Sequence, residues 1–325
     1  MRQIEFASAG IPHDVVRCVD VQQPVIGAAD DVLVRTQVFP INPADLLTMQ
    51  GIYPRVDAST MAIGNEAIGE ITEIGDGIDD LKPGDRVILL SLNNWREFRL
   101  VKRSEVIKVS PVGDLLQQAG LKVNPATARL LLANFVALKP GDWIIQSAAN
   151  SAVSRAVIQI AQTFGIKTIN VVRRADVMDE LRTLGADIVL EDSSDLASVV
   201  NSASGGVPVR LGLDSIGGAT ADRLAACLAP DATLVVYGAM SGEPVTISPA
   251  ALVFKNLTLR SFWLTPHLTK AAPADVRTLY QTLDGMVVGG QLKTRIDSEF
   301  EVFAIKDAVR RAAQPALNGK VMVRF

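Results

Sequence analysis

The first third of the chain is patterned in short apolar runs of β type, such as Asp31-Val-Leu-Val-Arg-Thr-Gln-Val-Phe39 and Gly69-Glu-Ile-Thr-Glu-Ile-Gly75. Turns containing Pro or Gly separate them, among them Ile11-Pro-His-Asp14, Ile41-Asn-Pro-Ala-Asp45 and Leu81-Lys-Pro-Gly-Asp-Arg-Val87. Pro removes a backbone donor and Gly loosens the backbone, so both interrupt helices and mark strand ends. This pattern predicts an irregular β-rich domain with few helices over residues 1–119.

Near Leu121 the texture changes. A helical stretch around Pro125 to Ala137 leads through a second Lys-Pro-Gly-Asp turn into an apolar strand, Trp143 to Gln146. Further strands are predicted at Thr168 to Val172, Ile188 to Leu190, Val209 to Asp214 and Thr233 to Tyr237, each followed by a segment of helical periodicity. Strands alternating with helices build βαβ units, whose parallel sheet is covered on both faces. The fold class is therefore α/β, with a doubly wound parallel sheet of Rossmann type over residues 120–260. Beyond it come a strand in Leu257-Thr-Leu-Arg-Ser-Phe-Trp-Leu264, a helix from Pro273 to about Val288, and a closing helix and strand ending in Lys320-Val-Met-Val-Arg-Phe325. Residues 261–325 are read as returning to complete the first domain.

A length of 325 residues suits two domains, each with its own core. The formal charge of -3 comes with no basic stripe and no block of like charge, so neither nucleic acid nor a membrane surface is an expected partner. The segment from Met1 to Gly10 has no apolar run of signal-peptide or spanning length and is not Arg/Ser-rich, so a cytoplasmic location is expected. Two cysteines, Cys18 and Cys227, and two histidines, His13 and His267, stand in no metal-ligand spacing. Zinc draws three or four such ligands from clustered positions, so no metal is expected and the cysteines read as small buried hydrophobes.

The strand ending at Gln146 runs into Ser147-Ala-Ala-Asn-Ser-Ala-Val-Ser154 and then a helix from Arg155 to Phe164. That is where a dinucleotide-binding fold sets its phosphate loop, because the amides and positive dipole end of a helix start suit a pyrophosphate. The glycines of G-x-G-x-x-G are absent, with Ala148, Ala152 and Ser154 in their places, so an ordinary turn capped by Asn150 or Ser151 remains open. The next strand adds a second signal: it ends in Arg173-Arg174, with no acid before Asp176. An acid there would hold a ribose 2′-hydroxyl, whereas Arg can clamp a 2′-phosphate, so NADPH is expected rather than NADH.

Taken together, these stretches resemble the zinc-free branch of the medium-chain dehydrogenase/reductase superfamily, in particular the trans-2-enoyl-thioester reductases and quinone oxidoreductases. Ile41-Asn-Pro-Ala-Asp45, Gly51-Ile-Tyr53, Gly64-Asn-Glu-Ala-Ile-Gly69, Val123-Asn-Pro-Ala-Thr-Ala128, Asn170-Val-Val-Arg173, Tyr237-Gly-Ala-Met240 and Phe254-Lys-Asn-Leu-Thr-Leu-Arg-Ser-Phe-Trp-Leu264 carry the resemblance over nearly the whole chain. Zinc-dependent relatives have Cys where Asn42 stands and His where Asn65 stands. The resemblance implies a GroES-like β-rich catalytic domain, a homodimer, and a cofactor held by Asn124, Asn150, Ser151, Ala152, Val153, Arg173, Arg174, Ala175, Tyr237, Gly238, Ala239, Met240, Phe262, Trp263, Leu264 and Lys320. Family loops usually read Asn-Ser-Gly-Val-Gly where this chain reads Asn150-Ser-Ala-Val-Ser154.

The resemblance further implies hydride transfer to the β-carbon of an α,β-unsaturated thioester. Tyr53 matches the family tyrosine that donates a proton or a hydrogen bond to the enolate oxygen. A phenol with a reference pKa near 10 keeps its proton at neutral pH. Trp263 is a second candidate catalytic residue, through its indole N–H. Asn42, Asp45, Asn65 and Glu66 are expected to fix turns and bond one another. Arg55, Arg96, Arg99, Lys102 and Arg103 are candidates for a basic entrance to a thioester carrier, or else plain surface charge. Two other readings stay open: a reductase of quinones or simple enones, and a non-catalytic NADPH-binding regulator.

Overall fold

The computed structural model describes residues 1–54, 61–315 and 317–325. They form two compact units, Met1–Val123 with Ala272–Phe325, and Asn124–Ala271. In the first unit β1 (Arg2–Phe6) and β2 (Val16–Asp20) make an antiparallel pair. A larger sheet is built on β3 (Asp31–Pro40), which pairs antiparallel with β4 (Ile68–Ile74) and β6 (Phe98–Lys102); β5 (Arg86–Leu89) and β7 (Val106–Lys108) extend it beyond β4. Val32, Val34, Val38 and Phe39 of β3 are wholly buried, and the Phe39 ring stacks on Trp95 with centroids 4.8 Å apart. Trp95 lies against Gly64, where φ is 119° and a Cβ would stand 2.3 Å from the indole Cδ1. Only glycine fits there, and the tight contact fixes the backbone that enters Asn65 and Glu66.

The second unit holds β8 (Trp143–Gln146), β9 (Lys167–Val172), β10 (Ile188–Glu191), β11 (Val209–Asp214), β12 (Thr233–Val236) and β13 (Thr258–Ser261). Among the described residues they form one parallel sheet in the order β10-β9-β8-β11-β12-β13, the doubly wound arrangement predicted from the alternating pattern. Ile145, Ile169, Leu211 and Leu234 are at most 1% exposed, as a sheet covered on both faces requires. The chain then returns to the first unit with β14 (Ile296–Glu301), parallel to β15 (Lys320–Arg324), which pairs antiparallel with β3.

The units divide after Val123 and after Ala271, four and eleven residues beyond the expected 119 and 260. The reason is local at each end. Lys122 and Val123 are bonded into the first unit through Ser91 and Glu66, while β13 pairs with β12 and Phe262 packs edge-on against Phe135 in the second. The loop helix begins at Ala152 rather than Arg155, because the Ser151 hydroxyl accepts the amide of Ser154 and so caps it three residues earlier. Both cysteines are half-buried rather than fully enclosed. No described helix is long and apolar enough to cross a membrane.

Candidate active site

Asn42, Asp45, Asn65 and Glu66 do bond one another, and they do so inside a buried ionic core. Asn42 precedes the helix Pro43–Met49 and donates its amide N–H to Asp45 Oδ2 at 2.8 Å and its side-chain NH₂ to Glu66 Oε1 at 2.7 Å. Asp45 Oδ1 accepts both the backbone N–H and the side-chain amide of Asn65, at 3.0 and 2.7 Å. Glu66 Oε2 accepts the amide of Val123 at 3.0 Å. Two ammonium groups balance the two carboxyls. Lys320 donates to Asn42 Oδ1, and Lys122 donates to the carbonyls of Asn65 and of Ser91, the latter at 2.6 Å. Tyr280, wholly buried, donates its hydroxyl to Lys122 O at 3.0 Å.

Burial dominates the electrostatics of this core. It pushes Asp45 up to about 6 against the pull of the Asn42 and Asn65 N–H groups and Lys320, and it raises Glu66 as well. The same desolvation pushes Lys122 down to about 8, opposed by Glu66 and Asp45, and lowers Lys320. Lys320, a cofactor residue by resemblance, is thus held at 5% exposure with its ammonium turned onto Asn42. Sequence reasoning passed over Lys122 and Tyr280, since a lysine between Leu121 and Val123 looks like any helix-edge lysine.

Tyr53 follows the helix Pro43–Met49 through a turn that Gly51 closes at φ 76°. The amides of Ile52 and Tyr53 both donate to Leu47 O, at 2.9 and 3.1 Å, so the tyrosine is pinned to the helix end while its side chain stays half-buried. Among the described residues, three of those predicted for a basic entrance are engaged elsewhere. Lys102 is spent on Asp30 and Asp31, at 2.7 and 2.9 Å, and Arg103 pairs with Asp80. Arg99 turns inward onto Leu92 O and Asn94, where burial and Arg96 push it down to about 10, and Arg96 is itself half-buried. Arg55 lies outside the described residues.

In the second unit the loop between β8 and the helix Ala152–Thr163 is drawn tight without its glycines. Ala148 takes the left-handed φ of 44°, and the amides of Ser147, Ala149 and Ser151 donate to Leu213 O, Val171 O and Ala148 O, at 3.0, 3.0 and 2.8 Å. Ser154, wholly buried, donates to Ser147 O at 3.2 Å. Asp214 at the end of β11 accepts the Ser147 hydroxyl at 2.7 Å and the amides of Ile216 and Gly217. Past β12, Tyr237 lies 3.3 Å from Ser154 Oγ, and burial raises its phenol against the Ser154 and Ser215 hydroxyls. A Cβ on Gly238 would stand 2.6 Å from Ser215 O, so Ala239 and Met240 follow a backbone packed directly on β11's end. Arg173 and Arg174 are exposed at the end of β9, and Arg174 reaches Asp176 at 3.3 Å. Asn150 and Trp263 are exposed, Asn124 and Phe262 buried, and Trp263 caps the helix that begins at Leu264. The predicted residues therefore fall into two groups: Tyr53 and Lys320 on the first unit, the remainder on the second.

Residues 28–109 match the alcohol dehydrogenase GroES-like domain, and residues 152–283 match the zinc-binding dehydrogenase family. A mitochondrial enoyl-[acyl-carrier-protein] reductase of Mus musculus is 35% identical over 98% of this chain and 87% of its own length; that of Caenorhabditis elegans is 36% identical over 90% and 86%. Among solved structures, a putative NADPH:quinone reductase from Bacillus thuringiensis superposes with a TM-score of 0.91 at 25% identity, covering 100% of this chain and 98% of that one. The mitochondrial 2-enoyl thioester reductase heterodimer from Candida tropicalis gives 0.88 at 27%, covering 100% and 99%. The residues here do not fit the zinc ion that one family description implies. Asn42 and Asn65 offer amides in place of thiolate and imidazole, and Asp45 and Glu66 are already filled by N–H donors beside two ammonium groups. The chain belongs to the medium-chain dehydrogenase/reductase superfamily, in the zinc-free branch that contains the enoyl thioester reductases and the quinone oxidoreductases.

Proposed function

We propose that this protein is an NADPH-dependent reductase that saturates the conjugated double bond of a trans-2-enoyl thioester. The observation that carries the reading is the joint presence of an NADP-type cradle and of Tyr53 in a chain that aligns over 98% of its length with an enoyl reductase. The cradle fits the cofactor: a capped twelve-residue helix start beside β8, a backbone at Gly238 with no room for a side chain, and two exposed arginines closing β9. In the complex of the related Etr1p with NADP and crotonyl-CoA the bound molecules are of that chemical class.

Bound NADPH supplies the hydride. The protein's own residues supply position and electrostatics. Arg173 and Arg174 offer guanidinium donors for the 2′-phosphate, and the first turn of the helix Ala152–Thr163 offers amides for the pyrophosphate. Tyr53 would present its phenolic O–H to the thioester oxygen, where enolate charge develops, and the α-carbon proton would come from solvent. The likeness to the Bacillus thuringiensis structure supports a second reading in which a quinone is the acceptor. A homodimer completes the proposal: β13 is the edge of the parallel sheet, all four of its residues are exposed, and Phe254 beside it is 83% exposed.

The test follows oxidation of NADPH and, separately, NADH against crotonyl-CoA, a longer enoyl-CoA and a simple quinone, in the wild type and in Tyr53→Phe. NADPH-specific turnover of the thioesters that drops about 100-fold in the variant, the scale of a lost transition-state donor, is the expected result. Quinone turnover alone, indifferent to the substitution, would move the protein to the quinone reading and reduce Tyr53 to a packing residue.

A further inference from the structure

The loop that should carry glycines has instead gathered hydroxyl groups, and Ser154 is at their centre. It occupies the position where family loops carry the last glycine, which in this fold lets helix and strand approach closely. Here the side chain is wholly buried and every part of its hydroxyl is used. It donates to Ser147 O at 3.2 Å, joining the helix to the first residue of the loop, and it accepts from the Ser151 hydroxyl at 3.0 Å, joining it to the helix cap. Its remaining lone pair faces the Tyr237 hydroxyl at 3.3 Å. Because the Ser154 hydrogen is directed at Ser147 O, the Tyr237 O–H is the donor of the pair.

A glycine or an alanine at 154 could make none of these bonds. The loop needs them, because Ala148 holds a left-handed φ of 44° without a glycine's freedom. The Tyr237 bond also ties that loop to the segment after β12, where Gly238 rests on Ser215 O and Met240 donates its amide to the same oxygen at 3.1 Å. The Ser154 hydroxyl thus bridges two stretches of the cradle that are 83 residues apart in sequence, beside the Ser151 hydroxyl, which also reaches Tyr237.

We propose that Ser154 is a cofactor-positioning residue, whose hydroxyl fixes Tyr237 and the glycine-poor loop in the arrangement that receives the dinucleotide. This inference rests on the NADPH reading above. It places the cost of losing the loop glycines on a specific pair, so Ser154 and Tyr237 act as one unit rather than as two independent contacts.

The test measures NADPH affinity directly, by quenching of protein fluorescence, for the wild type, Ser154→Ala, Ser154→Gly, Tyr237→Phe and the double variant Ser154→Ala/Tyr237→Phe. Ser154→Ala and Tyr237→Phe are each expected to weaken binding about five-fold, the scale of one neutral hydrogen bond, and the double variant no more than the worse single one. Ser154→Gly, although it restores the family residue, should weaken binding at least as much as alanine. In turnover the KM for NADPH should rise with kcat at saturation unchanged, a split that general loosening of the fold does not produce. Wild-type affinity in Ser154→Ala, or single losses that multiply in the double variant, would overturn the inference while leaving the NADPH reading intact. A wild type that binds no NADPH would overturn both.

Discussion

Stability should pass through a trough between about pH 6 and pH 8, set by the buried core of the first unit. Moving a carboxyl from its ordinary 3.8 to about 6 penalises the ionised form of Asp45 by ~3 kcal/mol, at ~1.4 kcal/mol per pH unit. Between those values the folded protein keeps a proton that the unfolded chain has released, so stability falls as pH rises from about 4 to about 6. Lys122 has the opposite sign: moved from 10.5 to about 8, it releases its proton in the folded state while the unfolded chain still holds one. Stability therefore rises again from about pH 8 to 10.5, by ~3 kcal/mol. Glu66 is raised and Lys320 lowered by the same burial, and they deepen the trough on the same two sides. Exposed pairs such as Arg310 with Asp307 are screened by solvent and add little. Urea unfolding followed by tryptophan fluorescence, at half-unit steps from pH 4 to 10.5, gives the curve, and Lys122→Met isolates the alkaline limb. A difference between wild type and Lys122→Met that stays flat across pH 8 to 10.5 would refute the reasoning.

Two further outcomes follow from single contacts. Tyr280→Phe leaves the ring packing in place but strips the buried Lys122 carbonyl of its 3.0 Å donor, so the urea midpoint should fall by an amount worth ~1–2 kcal/mol; an unchanged midpoint would remove Tyr280 from the core's support. Leu259→Glu places a charge on the exposed sheet edge, where Leu259 is 46% exposed, and should give monomers in sedimentation velocity if copies pair through β13. A variant that sediments as the wild type does would move the interface elsewhere.

Much of the fold is legible from periodicity because each element's identity depends on its own neighbours in sequence. Val209 to Asp214 and the helix Pro273–Val288 have the bounds the pattern predicts, and the strand-helix alternation gives the parallel sheet. The arginines after β9 and the cap at Ser151 are local as well, so their positions can be read from spacing. Ser154 is different: the sequence shows only a missing glycine, and the partner that makes its hydroxyl useful is Tyr237, distant along the chain.

The sequence by itself determined the two-domain α/β plan, the amides at Asn42 and Asn65, and the arginine pair that closes β9. Tertiary structure alone decided that Asp45, Glu66, Lys122 and Lys320 share one buried core, and that Lys102, Arg103 and Arg99 are already engaged. It also decided that the helix entering at Pro273 supplies Tyr280 to a carbonyl 158 residues away. The physical reason is that hydrophobic period is a short-range property of the chain. Charge compensation in a desolvated interior is a sum over whatever the fold brings together, and no spacing in the sequence encodes that sum.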